Sequence, residues 1–143
     1  MNYTKKDEHT FLSPAWCKKL QDAGIRLGDG RYVIYRNALK SAKGNGRLYV
    51  GVKEDMKNFP LATDVTPTYT LPELLYKLSE YITDLGALSF LKDAPFYIFH
   101  YGEGKDTDIM GEDETPIVSA AILLLQCAEK NLHYVEDISG KYK

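Results

Sequence analysis

The chain has 143 residues, 44% of them hydrophobic and 27% charged, with a net charge of −2. That is ordinary globular usage, with room for a single domain over residues 1–143 and one sizeable core. The longest apolar stretch, Val118 to Leu125, falls far short of the roughly 20 residues that cross a bilayer, and the first ten residues, MNYTKKDEHT, lack the apolar run of a leader. The two cysteines, Cys17 and Cys127, sit among apolar neighbours and are expected as buried free thiols in a reducing compartment. These features together predict a cytoplasmic protein without a membrane partner. Lysine and arginine dominate residues 1–57, and aspartate and glutamate dominate residues 58–143. Such asymmetry can mark a nucleic-acid face or an acidic interaction loop.

In chain order, Ser13-Pro14 opens a short helix over about 14–23. The hydroxyl caps free N–H groups, and a first-turn proline loses no bond. Gly24 supplies the left-handed residue that ends it, and Ile25 can fold back onto the last turn. Tyr32–Tyr35 and Leu48–Val52 are β-rich runs joined by the flexible, basic residues 40–46, which together predict an antiparallel hairpin. Alternation puts Leu48, Val50 and Val52 with Tyr32 and Ile34 on one face, and Arg31, Val33, Tyr35, Arg47, Tyr49 and Lys53 on the other. Residues 58–69 hold Pro60 and Pro67 among Thr and Asp and are expected as a loop. Thr70-Leu71-Pro72-Glu73 is a capping box. Leu71, Leu74, Leu75, Leu78, Ile82 and Leu85 then fall at helical spacing, predicting an amphipathic helix over about 71–84. Ala87–Leu91 and Pro95–Tyr101 form a second strand pair, followed by a hydrophilic loop at 102–114. Thr115-Pro116 opens a third helix, apolar on most sides from Ile117 to Ala128 and therefore packed on several sides.

The expected order is α-β-β-α-β-β-α. The fold class is α+β, with a mainly antiparallel sheet of about four strands and three helices on one of its faces.

No motif specifies a reaction. His9, His100 and His133 lie at none of the spacings of paired metal ligands, and the cysteines form no C-x-x-C. No metal, cofactor or catalytic residue is assigned. The stretch Asp106 to Gly111 resembles the opening of a calcium loop, but Met110 and Ile117 stand where oxygen ligands belong, which excludes an EF-hand. Loose divalent binding by Asp106, Asp108, Glu112 and Asp113 is the residual possibility. Gly102-Glu103-Gly104-Lys105 lacks the spacing of a phosphate loop. His100 with Glu103 is the one conceivable acid–base pair. The hairpin face offers more: Arg31, Tyr35, Arg47, Tyr49 and Lys53 alternate cations with aromatic rings, a pattern that pairs with phosphates and stacks on unpaired bases. A solvated outer sheet face has the same composition.

Three passages carry a resemblance: LSPAWCKKLQDAGI, TPTYTLPELLYKLSEYI, and APFYIFHYG followed by ETPIVSAAILLLQCAEKN. They resemble small uncharacterised proteins encoded by phages, prophages and other mobile elements of gut bacteria. The resemblance implies an accessory role and brings no catalytic residues. The expected function is a non-enzymatic intracellular interaction module, binding a protein partner or a second copy of itself through its Tyr-rich sheet face or its acidic loop. The alternative is a nucleic-acid-binding accessory protein working through the hairpin face.

Overall fold

A computed structural model describes residues 2–25, 27, 30–37, 47–78, 81–82, 85–102 and 109–130. Eleven elements follow one another: β1 (Asn2–Tyr3), α1 (Pro14–Asp22), β2 (Tyr32–Asn37), β3 (Leu48–Val52), β4 (Ala62–Thr68), α2 (Leu71–Lys77), β5 (Tyr81–Ile82), β6 (Gly86–Asp93), β7 (Phe96–Tyr101), β8 (Met110–Asp113) and α3 (Pro116–Glu129). Two 3-10 turns, Lys5–His9 and Lys53–Asn58, complete the set. The class is α+β, and among the described residues every strand pairing is antiparallel. The strands divide into two four-stranded sheets, one in the order β1-β3-β2-β4 and the other β5-β6-β7-β8.

The caps form as their residues dictate. Ser13 Oγ accepts from the Trp16 N–H at 3.4 Å. At the other end of α1, Gly24 takes φ +83°, its N–H donates to the Gln21 carbonyl, and the Ile25 N–H donates to the Leu20 carbonyl. This pair of bonds around a left-handed glycine lets Ile25 fold back beside Leu20 in the core. In α3, Thr115 Oγ1 accepts from the Val118 N–H at 3.3 Å. Asp113 in turn accepts from the Thr115 N–H at 2.9 Å.

Three stretches depart from expectation. Residues 62–68 are strand β4 rather than loop. Pro67 is tolerated because β4 is the edge of its sheet, where one side of the strand needs no donor. The helix at 71 ends at Lys77, not near 84, because Leu78 turns to an extended backbone at φ −88°, ψ 137°. Three of the apolar series are buried all the same: Leu74 on the helix, Leu78 at its end, and Ile82 from strand β5, with Leu71, Leu75 and Leu85 half-buried against them. Within the stretch 102–114, residues 110–113 form the edge strand β8.

Helix α3 is the centre of the main core. It touches β7 and β8 on one side and α1 and α2 on the other. Ile117, Ala120, Ala121, Leu123, Leu124 and Cys127 are all fully buried there. Each large apolar side chain so placed contributes roughly 1.5–3 kcal/mol. Gly111 permits the close approach of α3 to β8, since a Cβ there would collide with the Ser119 carbonyl. Ser119 turns that proximity into bonding: its buried hydroxyl donates to the Gly111 carbonyl at 2.6 Å and accepts from the Phe99 N–H at 3.3 Å. A second, smaller cluster of Phe11, Ile34 and Val50 covers one face of the first sheet. The two regions are tied by Thr68 Oγ1 donating to the Leu12 carbonyl at 2.7 Å and by the Leu12 N–H donating to Tyr69.

Candidate functional site

The hairpin pairs Tyr32 with Val52, Ile34 with Val50 and Tyr35 with Tyr49, so the alternation expected from sequence holds. The second face is not an open aromatic platform. The 3-10 turn at Lys53–Asn58 follows β3 directly and brings Met56 against Gly51. Tyr35 stacks on Tyr49 at 5.6 Å and meets Phe59 at 6.2 Å, which leaves it only 7% exposed. Its ring is taken by neighbouring aromatic side chains. Tyr49 is half-buried.

The cations of the set remain at the surface. Arg31 and Lys53 are brought together, with the Lys53 N–H donating to the Arg31 carbonyl at 2.9 Å. Arg47 is exposed at the far end of β3, roughly 20 Å from Lys53 at the usual rise per residue. Arg31 and Lys53 line a cleft of about 650 Å³ with Gly30, Val52, Glu54 and Glu73. Glu73 performs two tasks there. One carboxylate oxygen accepts from the Thr70 N–H and hydroxyl at the start of α2, and the other accepts from the Arg31 N–H at 3.4 Å. The Arg31 guanidinium lies over Tyr32 at 5.6 Å. Two cations face two carboxylates, so the cleft presents no net positive field to a phosphate.

The other candidates resolve individually. His100 lies on β7 opposite Met110, and its Nδ1 is buried without a hydrogen-bond partner among the described residues. Glu103, its expected partner, lies outside the described residues, as do Asp106 and Asp108. Glu112 and Asp113 fall on β8, with Asp113 engaged by Thr115. Among the described residues, no group of three His, Cys, Asp or Glu is placed to hold a metal ion. Cys17 and Cys127 are buried free thiols. Burial pushes both up to about 12, so neither is a thiolate nucleophile near neutral pH.

A different surface emerges from the topology. The described residues of β5 pair with β6 at Gly86 and Ala87. Among the described residues, no strand pairs with β6 along residues 88–93, while β7 covers its other side from Leu88 to Asp93. The Gly102 N–H donates to the Ala87 carbonyl, which fixes the alternation. The main-chain groups of Ser89 and Leu91 face β7, and those of Leu88, Phe90 and Lys92 face the free edge. The side chains above and below this edge are apolar and exposed. Phe90 is 52% exposed beside Tyr97 and Phe99, and Leu91 is 51% exposed on the opposite face.

Two other edges among the described residues, β4 and β8, are blunted. β4 is interrupted by an irregular register near Asp64, which takes φ +52°, and by Pro67. β8 is short and acidic, and Gln126 of α3 accepts its Met110 N–H at 2.9 Å. Edge strands are ordinarily protected in such ways; β6 carries Lys92 on its edge but also exposes Phe90 and Leu91, which makes it a candidate pairing surface. Sequence reasoning located the β6 and β7 strands without showing which part of β6 has a second strand neighbour among the described residues. No family model, curated protein or solved structure matches the chain.

Proposed function

We propose that this protein is a non-enzymatic cytoplasmic interaction module that takes an extended segment of a partner protein onto the free edge of β6. The observation that carries this reading is that, among the described residues, no strand pairs with the outward main chain of Leu88, Phe90 and Lys92, beside exposed Phe90 and Leu91. Strand addition satisfies those main-chain groups, and alternate side chains of the added segment set its specificity. The resemblance to small phage-borne and prophage-borne proteins supports an accessory role of this kind. Peptides selected from a random library against the wild-type chain provide the test. Phe90→Pro removes an edge-facing N–H without breaking the ladder to β7. It should weaken such peptides about tenfold or more, the equivalent of about 1.4 kcal/mol. Equal affinity for both proteins would place the contact elsewhere.

A second reading, nucleic-acid binding at the hairpin, is supported by the exposure of Arg31, Arg47 and Lys53. It is opposed by the burial of Tyr35 and by the carboxylates of the cleft. Gel-shift titrations at low and raised salt compare wild type with Arg47→Ala/Lys53→Ala. Binding that is salt-sensitive and weakened in the variant supports this reading; negligible binding by both removes it.

A further inference from the structure

We infer that the segment which fills the β6 edge is β6 of a second copy of this chain, paired antiparallel about a two-fold axis at Phe90. This rests on the reading of β6 as a pairing edge and names its partner.

The edge is self-complementary in length and hydrogen bonding, and it sets no like charges against each other. An antiparallel partner must avoid both copies of β5, which occupy the positions beside Gly86 and Ala87. With Phe90 opposite Phe90 of the second copy, the overlap runs from Leu88 to Lys92 in each strand, clear of the described β5 residues Tyr81 and Ile82. In this register Leu88, Phe90 and Lys92 all face a residue of the same set, and each such pair exchanges two main-chain hydrogen bonds. A shift by two residues in either direction loses one of the three pairs. Side chains also agree. Phe90 meets Phe90, Leu91 lies opposite Ser89, and Lys92 lies opposite Leu88, so no like charges oppose each other. Lys92 already leans over the Tyr97 ring of its own strand pair at 5.5 Å, which leaves the edge clear. The product is one continuous sheet crossing both copies, an isologous contact that closes at the dimer. An overlap this short buries less than the roughly 1,200 Å² of a standard stable interface, so the dimer is concentration-dependent.

Two measurements test it on the full chain. In sedimentation equilibrium across a concentration series, the wild type should pass from monomer to dimer, while Phe90→Pro, checked for native circular dichroism, should remain monomeric. In mild oxidation, Phe90→Cys should form a disulfide-linked dimer at least about tenfold faster than Lys92→Cys. In the proposed register the two position-90 Cα atoms lie about 5.5 Å apart, within disulfide reach, whereas position 92 faces position 88. The native thiols are buried and should take no part.

A wild type that stays monomeric to about 1 mM, or equal cross-linking at both positions, overturns the self-pairing. If that monomer still binds selected peptides that Phe90→Pro loses, only the identity of the partner is overturned. If peptide binding also fails, the edge reading falls with it.

Discussion

At the scale of single residues, the chain uses polar groups mainly to seal its own structure. Glu73 closes the start of α2 and holds the Arg31 backbone, and Ser119 serves β7 and β8 from inside the core. Cys17 and Cys127 behave as small apolar residues. Their folded-state pKa values of about 12 lie above the ordinary 9.0 of a free thiol. Below about pH 9 both states keep the thiols neutral, and the stabilisation is fully present. Between about pH 9 and 12 only the unfolded chain ionises them, so stability falls as pH rises. The urea midpoint should therefore drop between pH 8 and pH 10.5, and drop less in Cys17→Ala/Cys127→Ala. Equal drops in the two proteins would show that burial of the thiols is not the cause.

At the scale of elements, local chemistry and tertiary demand can agree or compete. They agree at α1 and α3, where Ser13-Pro14 and Thr115-Pro116 start helices at the positions their side chains favour. They compete after Lys77. The spacing of Leu74, Leu78, Ile82 and Leu85 suits a helix, yet the same residues reach the core through a bend and the short strand β5. Helical period shows which side chains are buried, and another backbone can bury the same set. The contact of α3 with β8 is the most demanding in the fold, because backbone meets backbone at Gly111. Gly111→Ala should destabilise the protein by about 1–3 kcal/mol, since the neighbouring atoms belong to the main chain of α3 and cannot swing aside. Thermal unfolding would check this; an unchanged Tm would mean that α3 can lift from the sheet at no cost.

For the whole molecule, two clusters of very different size hold the two sheets. The larger surrounds α3 and joins α1, α2, β5 and β7, while the smaller rests on Phe11, Ile34 and Val50. Local opening follows buried contact. Amides of α3 and β7 should exchange with deuterium only through global unfolding. Those of β2 and β3 should open at lower denaturant concentration. Protection of β2 equal to that of α3 would show instead that the sheets unfold as one unit. The same asymmetry bears on function. The second sheet is anchored on the larger core through β7, and β6 is held to it by pairing with β7.

The sequence by itself determined the α+β class, the three helix starts, the central hairpin and its alternation, and the burial of both cysteines. Those follow from capping chemistry, side-chain period and local hydrophobicity, which act over a few residues. It also placed Arg31, Tyr35, Arg47, Tyr49 and Lys53 around one hairpin face. Only the tertiary structure decided that the Lys53–Asn58 turn and Phe59 bury Tyr35, that residues 62–68 join a sheet despite their prolines, and that the strands divide into two sheets. The β6 edge that has no strand neighbour among the described residues belongs to the same group. Whether a strand has a neighbour depends on where other segments run, and that has no signature within β6 itself.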